Sequence, residues 1–273
     1  MEIRTLENIS IEKIVDAFAE SFKDYYVKIP HDYDYWRERL RLARFNQNLS
    51  VGSFDGEQLV AFILNCIDDE QGLKTAYNTG TGVIEEYRNQ KLVDKMYDFI
   101  TPKLQENGVG TLKLEVITQN ARAIKVYKRI GFEVIENRTL FSFGGNLDKV
   151  DENNVEIKEV SKTEFDNLEN KETYYTWDFR KFVLENNENL KIFKVFKNND
   201  YKGFFILNIA NNSLFQLESV DEDWENIFVG IRKKTNEVRI VNVNENRKCL
   251  LDYLQKIGLK NLINQYEMEK VLD

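Results

Sequence analysis

The sequence is poor in the residues that most often carry metal or nucleophilic chemistry. Its 273 residues include two cysteines, Cys66 and Cys249, and one histidine, His31. A catalytic thiol or serine needs a base beside it, and a structural zinc ion needs about four ligands. Thiol hydrolases, Ser-His-Asp hydrolases and metal sites are therefore set aside. Both cysteines lie in apolar runs, which predicts that they are small buried residues.

Long apolar runs and an excess of positive charge are also missing. No stretch of about 18 apolar residues occurs, so no membrane span is expected. The first residues lack the basic and apolar regions of a signal peptide, which favours a cytoplasmic location. Lys and Arg number 38 against 46 Asp and Glu, giving a net charge of −8. This balance argues against nucleic-acid binding and is compatible with a cationic amine as partner.

Only two prolines occur, so Gly, Asn and Asp mark the turns. Apolar residues recur with the helical period after Ser10, a predicted N-cap, and alternate as in strands around Asp55-Gly56, a predicted hairpin turn. The first half is predicted to be an α/β segment with a mixed sheet. Its predicted strands cover 2–6, 49–54, 58–67, 74–83, 112–117, 132–136 and 139–143, and its predicted helices cover 10–22, 33–45, 91–106 and 120–130.

A polar stretch at 144–154 is predicted to link two domains, 1–148 and 152–273. A strand then restarts at Val155, and Glu156-Ile-Lys matches Glu2-Ile-Arg. Near the other end, Lys-Ile-Gly-Leu at 256–259 matches Arg-Ile-Gly-Phe at 129–132. These matches favour two copies of one fold, the second shorter in the middle.

The segment from Thr81 to Val93 is predicted to be a strand end, a turn and a helix start. Backbone N–H groups of such a turn and of a first helical turn converge, and they can bind a phosphate or pyrophosphate. Arg88 would add a charge-assisted donor. The plainer alternative is an ordinary turn with a surface arginine.

A second segment strengthens the first interpretation. Asn120, Ala123, Tyr127, Gly131 and Phe132 are spaced as Asn-x-x-Ala-x-x-x-Tyr-x-x-x-Gly-Phe. Together with the Arg88 turn, this pattern resembles the acetyl-CoA-binding half of the GCN5-related N-acetyltransferase (GNAT) family. The resemblance covers 1–143 by order of elements and is specific over 80–132. It implies a GNAT-like fold, and a tandem arrangement if the second half is a degenerate copy.

The resemblance also implies positions for the cofactor acetyl-CoA, with no metal. Its pantetheine arm would pair with the backbone of one of two splayed strands, and its pyrophosphate would lie on the turn. The implied cofactor-binding residues are Thr81, Gly82, Val83, Ile84, Arg88, Asn89, Gln90, Lys91, Leu92, Val93, Asn120, Ala123 and Tyr127. This turn departs from the family, which usually has glycine near 89, at 91 and at 93. The N–H groups remain, but room for close approach is lost.

By the same resemblance, Tyr127 would protonate the departing thiolate as general acid. Glu115, twelve positions earlier, looks like the general base of the ribosomal-protein N-terminal acetyltransferase branch of the family. A packing role for Tyr127, a solvated or ion-paired role for Glu115, and water as the base remain as alternatives. The aromatic residues near the first two helices would line an acceptor site or pack in the core: Phe22, Tyr25, Tyr26, Tyr33, Tyr35 and Trp36.

The second copy lacks this machinery. At an offset of 127, Asn242 replaces Glu115, Arg247 replaces Asn120 and Leu254 replaces Tyr127, and no Arg-led turn precedes Trp224. The function expected is N-acetyl transfer to a small-molecule or peptide amine by direct attack, with the oligomeric state open and a dimer among the alternatives. A non-catalytic module that binds CoA thioesters or a protein is the second hypothesis. A nucleotide-dependent enzyme is disfavoured, because no glycine-rich nucleotide motif occurs.

Overall fold

The computed structural model describes residues 1–70, 73–151, 154–165 and 174–272, and the chain forms two compact units. The first comprises Met1–Ile135 together with Glu267–Asp273, and the second comprises Glu136–Tyr266. The last residues of the chain therefore belong with its first half. The predicted domains, 1–148 and 152–273, follow chain order, and that boundary stays a prediction.

The first unit is a mixed sheet with helices. Its strands lie in the order β1-β2-β3-β4-β5, in which β4 and β5 are parallel and the other pairs are antiparallel. The mixed α/β fold that the sequence predicts is thus present. The elements are β1 (Glu2–Thr5), α1 (Ile11–Ser21), α2 (Tyr33–Leu42), β2 (Val51–Asp55), β3 (Gln58–Glu70), β4 (Leu73–Val83), α3 (Leu92–Glu106), β5 (Val109–Ile117) and α4 (Ala121–Ile130).

The second unit repeats the mixed arrangement in the strand order β6-β11-β10-β9-β8-β7, with β10 and β11 parallel. Its elements are β6 (Glu133–Asn146), β7 (Glu156–Val160), α5 (Lys162–Phe165), α6 (Lys181–Asn186), β8 (Leu190–Lys197), β9 (Asp200–Asn208), β10 (Ser213–Ser219), α7 (Trp224–Arg232), β11 (Glu237–Asn244), α8 (Lys248–Lys256) and β12 (Lys260–Val271). From Glu267 onward β12 belongs to the first unit. There the Leu272 N–H donates to the Gly110 carbonyl at 2.9 Å.

Helix α1 begins and packs as its sequence predicts. The Ser10 hydroxyl accepts from the Lys13 N–H at 3.3 Å, and the buried face includes Ile14 and Phe18. Two glycines of β4 make room for this face. A methyl group added at Gly80 would lie 2.6 Å from the Phe18 ring. Among the described residues, no helix is long and apolar enough to cross a membrane.

The predicted linker is wrong over 144–146. A single strand, β6, replaces the two strands predicted at 132–136 and 139–143 and continues through Gly144 and Gly145 to Asn146. Arg239, Val238 and Glu237 of β11 pair with these three residues, which keeps them in the sheet. Further on, Leu147, Val150 and Val155 are buried in the core of the second unit. Residues 152–153 of the predicted linker lie outside the described residues.

Two smaller predictions are also corrected. Helix α2 ends at Leu42 rather than at Phe45, because Arg44 takes a left-handed backbone (φ 60°) and Phe45 forms a bridge with Cys66. Cys66 is buried, as predicted, but Cys249 is exposed. On α8 the buried positions are Leu250 and Leu254, and Cys249 lies on the outer face. A hydrogen bond with Glu222 raises the pKa of the Cys249 thiol.

Because α1 packs closely on β4, any side chain at Gly82 should lower the stability of the fold. An added methyl group would lie 2.4 Å from the Phe62 ring and 2.8 Å from Ser21. Gly82→Ala should therefore lower the free energy of unfolding by about 1–3 kcal/mol, measured by urea denaturation. Gly110→Ala on β5 is the control, because no atom lies within 4 Å of its added methyl group. An equal loss in both variants would contradict this packing.

Candidate active site

The parallel strands β4 and β5 separate before either strand ends. Their pairing runs from Lys74 and Val109 to Asn78 and Leu114. Beyond that pair β4 continues to Val83 and β5 to Ile117. On its other side β4 stays paired with β3 as far as Val83. In the described part of the first unit, β4 residues 79–83 and β5 residues 115–117 are thus separated by an opening lined by backbone. We call this opening the gap.

A β-bulge marks the start of the gap. The register with β3 pairs Asn78 with Asn65 and Gly80 with Leu64, so Thr79 is the extra residue. A bulge interrupts the regular alternation of side chains along a strand. Asn78 consequently points to Tyr97 of α3, whereas Gly80 faces Phe18 of α1.

Tyr127 of α4 brings a hydroxyl group to the gap. The ring is buried, and its hydroxyl is hydrogen-bonded to Thr81 and Asn78 of β4. Burial raises the pKa of Tyr127 to about 12, although these two hydrogen bonds act in the opposite direction. At neutral pH the hydroxyl is therefore protonated, as a general acid must be before it acts. Two sequence-predicted site residues, Thr81 and Tyr127, are thus brought together.

Asn120 has a structural partner of its own. Its side chain caps α4 by accepting from the Ala123 N–H at 3.1 Å. It is also hydrogen-bonded to Tyr25, whose pKa is raised mainly by burial. The neighbouring Tyr26 hydroxyl donates to the Gln119 carbonyl at 3.2 Å. The segment after α1 therefore lies against the turn that leads from β5 into α4.

The other predicted aromatic residues divide between core and surface. Trp36 is buried beside Phe18, and Phe22 stacks on the same Phe18 ring at 4.4 Å. Tyr33 and Tyr35 are exposed. Of the six aromatic residues, Tyr25 and Tyr26 are thus the two held against the turn at the end of β5.

The turn between β4 and α3 keeps a glycine-like backbone without glycine. Asn89 and Lys91 have φ angles of 67° and 55°. This left-handed region favours glycine, and asparagine tolerates it better than lysine does. Lys91 is the residue before α3, so the N–H groups of Leu92 and Val93 face outward from the first turn without intrahelical partners. The first turn of α3 thus has the N–H groups on which the predicted anion site depends.

Arg88 acts on the protein backbone rather than on this turn. Its Nε donates to the Val83 carbonyl and one terminal nitrogen donates to the Ser21 carbonyl, each at 3.1 Å. Arg88 thereby ties the end of β4 to the end of α1. This use was not foreseen in the sequence, because neither carbonyl is identifiable as a partner without the fold.

Helix α4 holds the turn from the other side. Arg122 donates to the Asn89 side chain at 3.0 Å, and Arg129 forms two hydrogen bonds of 2.6 Å with Asp94. The hydrogen bonds from Arg129 lower the pKa of the Asp94 carboxyl. Both contacts join α4 to the residues around the start of α3, and they fix the backbone there.

Glu115 is the first residue of β5 beyond the last pair. Leu114 lies beside Asn78 in the parallel register, so Glu115 projects to the opposite face, which carries α1. One of its carboxylate oxygens is buried. Tyr127 approaches β4 from the α3 and α4 face. The two predicted catalytic residues therefore reach the gap from opposite faces of the sheet.

The second unit contains an equivalent separation of strands. β10 and β11 pair at Ser213 with Arg239 and at Leu214 with Ile240. Here too a bulge follows the last pair, because the register with β9 skips Phe215. Leu214 and Phe215 thus correspond to Asn78 and Thr79 of the first unit. This shared irregularity supports the predicted relation between the two halves.

In the second unit this opening is filled by side chains. The Tyr175 hydroxyl accepts from the Leu217 N–H at 3.2 Å and lies 2.9 Å from the Leu217 carbonyl. Arg247 donates to the same carbonyl at 2.7 Å and to Glu218 at 3.1 Å. Burial raises the pKa of Tyr175. Since Leu217 and Thr81 stand two residues beyond the bulge, the backbone left open in the first unit is occupied in the second.

Two residues of the first site were missed at the sequence level. Asn78 and Tyr97 contact each other at 2.8 Å in the buried part of the site. The only signal for Asn78 is a polar residue within a predicted strand, and Tyr97 looks like an ordinary apolar-face residue of a helix. Within the described residues, no group of three or more His, Cys, Asp or Glu side chains is arranged to hold a metal ion.

Comparisons with known proteins agree with this geometry. Residues 12–132 match the model of the acetyltransferase (GNAT) family. No curated protein matches the chain. The fold of the chain resembles a tandem GNAT protein from the clavulanic acid biosynthesis pathway (TM-score 0.68, 11% identity, covering 99% of this chain and 98% of that one).

Two further solved structures are similar over the whole chain. One is a GCN5-related N-acetyltransferase from Sphaerobacter thermophilus (TM-score 0.68, 10% identity, 99% and 95% covered). The other is a GCN5-related N-acetyltransferase from Anabaena variabilis (TM-score 0.61, 9% identity, 100% and 73% covered). At these identities the likeness concerns the fold, and it supports a tandem arrangement of two GNAT-like folds.

The left-handed backbone at Lys91 predicts a stabilising substitution. Lys91→Gly should raise the free energy of unfolding by about 0.5–1 kcal/mol, because the strain removed exceeds the extra freedom that glycine adds to the unfolded chain. Lys95→Gly, within α3, should lower it by about 1 kcal/mol. Urea denaturation measures both. A loss of stability in Lys91→Gly would show that the turn prefers a side chain there.

The buried Arg247–Glu218 pair predicts a large loss when one partner is removed. Arg247→Met should lower the free energy of unfolding by about 3–5 kcal/mol, because Glu218 would keep a buried charge without this partner. Arg247→Met combined with Glu218→Leu should lower the free energy of unfolding by less than Arg247→Met alone. Lys181→Met, in the exposed pair with Glu185, is the control and should change stability by under about 1 kcal/mol. If the double variant were less stable than Arg247→Met alone, the broken pair would not be the cause of the lost stability.

Proposed function

We propose that the chain is an acyl-CoA-dependent N-acyltransferase that transfers an acetyl group from acetyl-CoA to an amine, because residues 12–132 match the model of the acetyltransferase (GNAT) family. The observation that carries this proposal is the gap between β4 and β5, with the protonated Tyr127 hydroxyl beside it. A thioester arm containing amide groups needs backbone partners, and a thiolate leaving group needs a proton donor. The gap has both.

The residues around the gap fit acetyl-CoA as co-substrate. The backbone of Thr81–Ile84, at the end of β4, would pair with the amide-bearing arm. The turn from Arg88 to Val93 and the first N–H groups of α3 would hold the pyrophosphate. Lys91 would add a positive charge at the same place. Bound there, the co-substrate would supply the activated acyl group.

In the proposed reaction the acceptor nitrogen forms a bond to the thioester carbonyl carbon, and the carbon–sulfur bond breaks. Tyr127 gives its proton to the sulfur that departs. The nitrogen loses one proton, either to Glu115 or to water, so that the products are an amide and the free thiol. Tyr127 is then restored by a proton from the solvent.

Glu115 is the candidate base because of its position. It stands on β5 just beyond the last pair with β4, and one of its oxygens is buried. A carboxylate at this position can take the proton that the acceptor nitrogen loses. Its location on the face opposite to Tyr127 separates the two proton transfers, so acid and base would not exchange a proton directly.

The acceptor would enter near Tyr25 and Tyr26, which lie against the turn after β5. Aromatic faces attract ammonium groups, and the chain carries a net charge of −8. A small-molecule or peptide amine is therefore the proposed acceptor class. The cytoplasmic location and the oligomeric state stay predictions.

A second candidate is a non-catalytic module that binds a CoA thioester. The observation that favours it is the turn at 89–93, where Asn89 and Lys91 adopt the backbone that glycine favours. Side chains at these positions leave a phosphate less room to approach the backbone N–H groups of the turn. Thermal shift assays with acetyl-CoA, free CoA and ATP separate the candidates from a nucleotide enzyme. A product peak with any amine would end the non-catalytic interpretation.

Tyr127→Phe should lower kcat by about 10²–10³-fold while the Kd for acetyl-CoA changes by less than about threefold, because only the proton donor is removed. Steady-state kinetics and calorimetric titration measure the two quantities. Tyr201→Phe in β9 is the matched control, since burial raises the pKa of Tyr201 to about 12 as well. Equal losses of turnover and binding in Tyr127→Phe would indicate a packing role instead.

A further inference from the structure

Asn78 stands where the two parallel strands separate. It forms the last pair of β4 with β5, opposite Leu114, and its side chain is buried. A buried amide needs partners for its donors and its acceptor, and it costs free energy when they are missing. Asn78 has a partner for each, and all three lie in the first unit: Gly80, Thr81 and Tyr97.

The carbonyl end of the Asn78 side chain stabilises the bulge. Its Oδ1 accepts from the Gly80 N–H at 3.0 Å, spanning the extra residue Thr79. Such a side-chain bond to the backbone two residues on replaces a ladder hydrogen bond of the strand. The bulge and the start of the gap are therefore held by this one side chain.

The amide end of Asn78 is directed at the hydroxyl groups around Tyr127. Its Nδ2 donates to the Thr81 hydroxyl at 2.7 Å and to the Tyr97 hydroxyl at 2.8 Å. A hydroxyl that accepts in this way still has its own proton to donate. The rings of Tyr97 and Tyr127 both pack against Phe132, at 5.5 and 5.7 Å. Asn78 thus donates to two of the hydroxyl groups around Tyr127.

We propose that Asn78 is a positioning residue for the Tyr127 hydroxyl, which it orients directly and through Thr81 while it holds the bulge that opens the gap. This inference rests on the proposed function, because orientation matters only if Tyr127 transfers a proton. The hydrogen-bond partners of the Asn78 side chain are all protein groups. Its effect should therefore appear in turnover and not in cofactor affinity.

The second unit offers an internal comparison. At the equivalent position, the last paired residue before the bulge, it has Leu214. It also has Leu254 where the sequence offset places Tyr127. The amide and the tyrosine are thus absent together from the unit whose opening is filled. This joint replacement is what a positioning role predicts, because the amide has nothing to orient once the tyrosine is gone.

The test compares Asn78→Asp with Asn65→Asp. Aspartate keeps the oxygen that accepts from Gly80 but loses both donors, and its carboxylate would accept the Tyr127 proton in a hydrogen bond. Asn65 is the matched control. It is buried on β3 directly opposite Asn78, and its amide donates to the Leu49 carbonyl at 2.7 Å, away from the tyrosines. If Asn78→Asp does not fold, Asn78→Ser replaces it.

Turnover is measured in a double-mutant cycle on the intact chain. Asn78→Asp should lower kcat by about 10–100-fold, with the Kd for acetyl-CoA changed by less than about threefold, while Asn65→Asp keeps kcat. Because Asn78 acts through Tyr127, adding Asn78→Asp to Tyr127→Phe should lower kcat by no more than about twofold further. Additive losses, or equal losses in Asn78→Asp and Asn65→Asp, would overturn the proposal.

An NMR measurement tests the same proposal without depending on turnover. The protein is labelled with ¹³C at the ring carbon that bears the hydroxyl of tyrosine, and the Tyr127 signal is assigned from Tyr127→Phe. Asn78→Asp should shift the Tyr127 and Tyr97 signals, and Asn65→Asp should leave them in place. An unmoved Tyr127 signal would overturn the proposal. If the wild-type protein showed no turnover on any amine, the proposed function would be contradicted. The NMR measurement would still decide whether Asn78 positions Tyr127.

Discussion

The structure depends on one constraint: backbone N–H and C=O groups inside a fold must have partners. Where β4 leaves β5 after Asn78, and where β10 leaves β11 after Leu214, one edge of a strand loses its neighbour. The second unit meets the constraint with its own side chains, because Tyr175 and Arg247 bind the Leu217 backbone. In the first unit, the corresponding edge of β4 at Thr81 faces the gap. This difference is what the proposed function predicts for a unit that binds an extended co-substrate and one that does not.

The surrounding features follow from keeping that edge open. The bulge at Thr79 turns Thr81 toward Tyr127 and leaves Gly80 facing α1. Arg88 fastens the far end of β4 to the end of α1. On the other side, α4 is tied to the start of α3 through Arg129 and Asp94. The walls of the gap are therefore fixed independently of any ligand, which is the preorganisation that a binding site needs.

The sequence predicted what depends on local pattern and missed what depends on distant partners. Ser10 as a helix cap and the strand restart near Val155 follow from short-range rules, and both are present. The stretch Gly144–Asn146 looked like a linker, because its pairing with β11 involves residues about a hundred positions away. Asn78 gave little signal for the same reason. Its role arises from a bulge and from Tyr97, neither of which a strand pattern contains.

Hydrogen exchange with and without acetyl-CoA locates the bound co-substrate, because it reports protection of backbone amides segment by segment. We propose that the first unit holds the co-substrate along the open edge of β4 and that the second unit is closed to it. Acetyl-CoA should slow exchange in peptides covering 79–84 and 89–94 and leave a peptide covering 215–219 unchanged. Protection at 215–219, or none at 79–84 with saturating acetyl-CoA, would contradict the account.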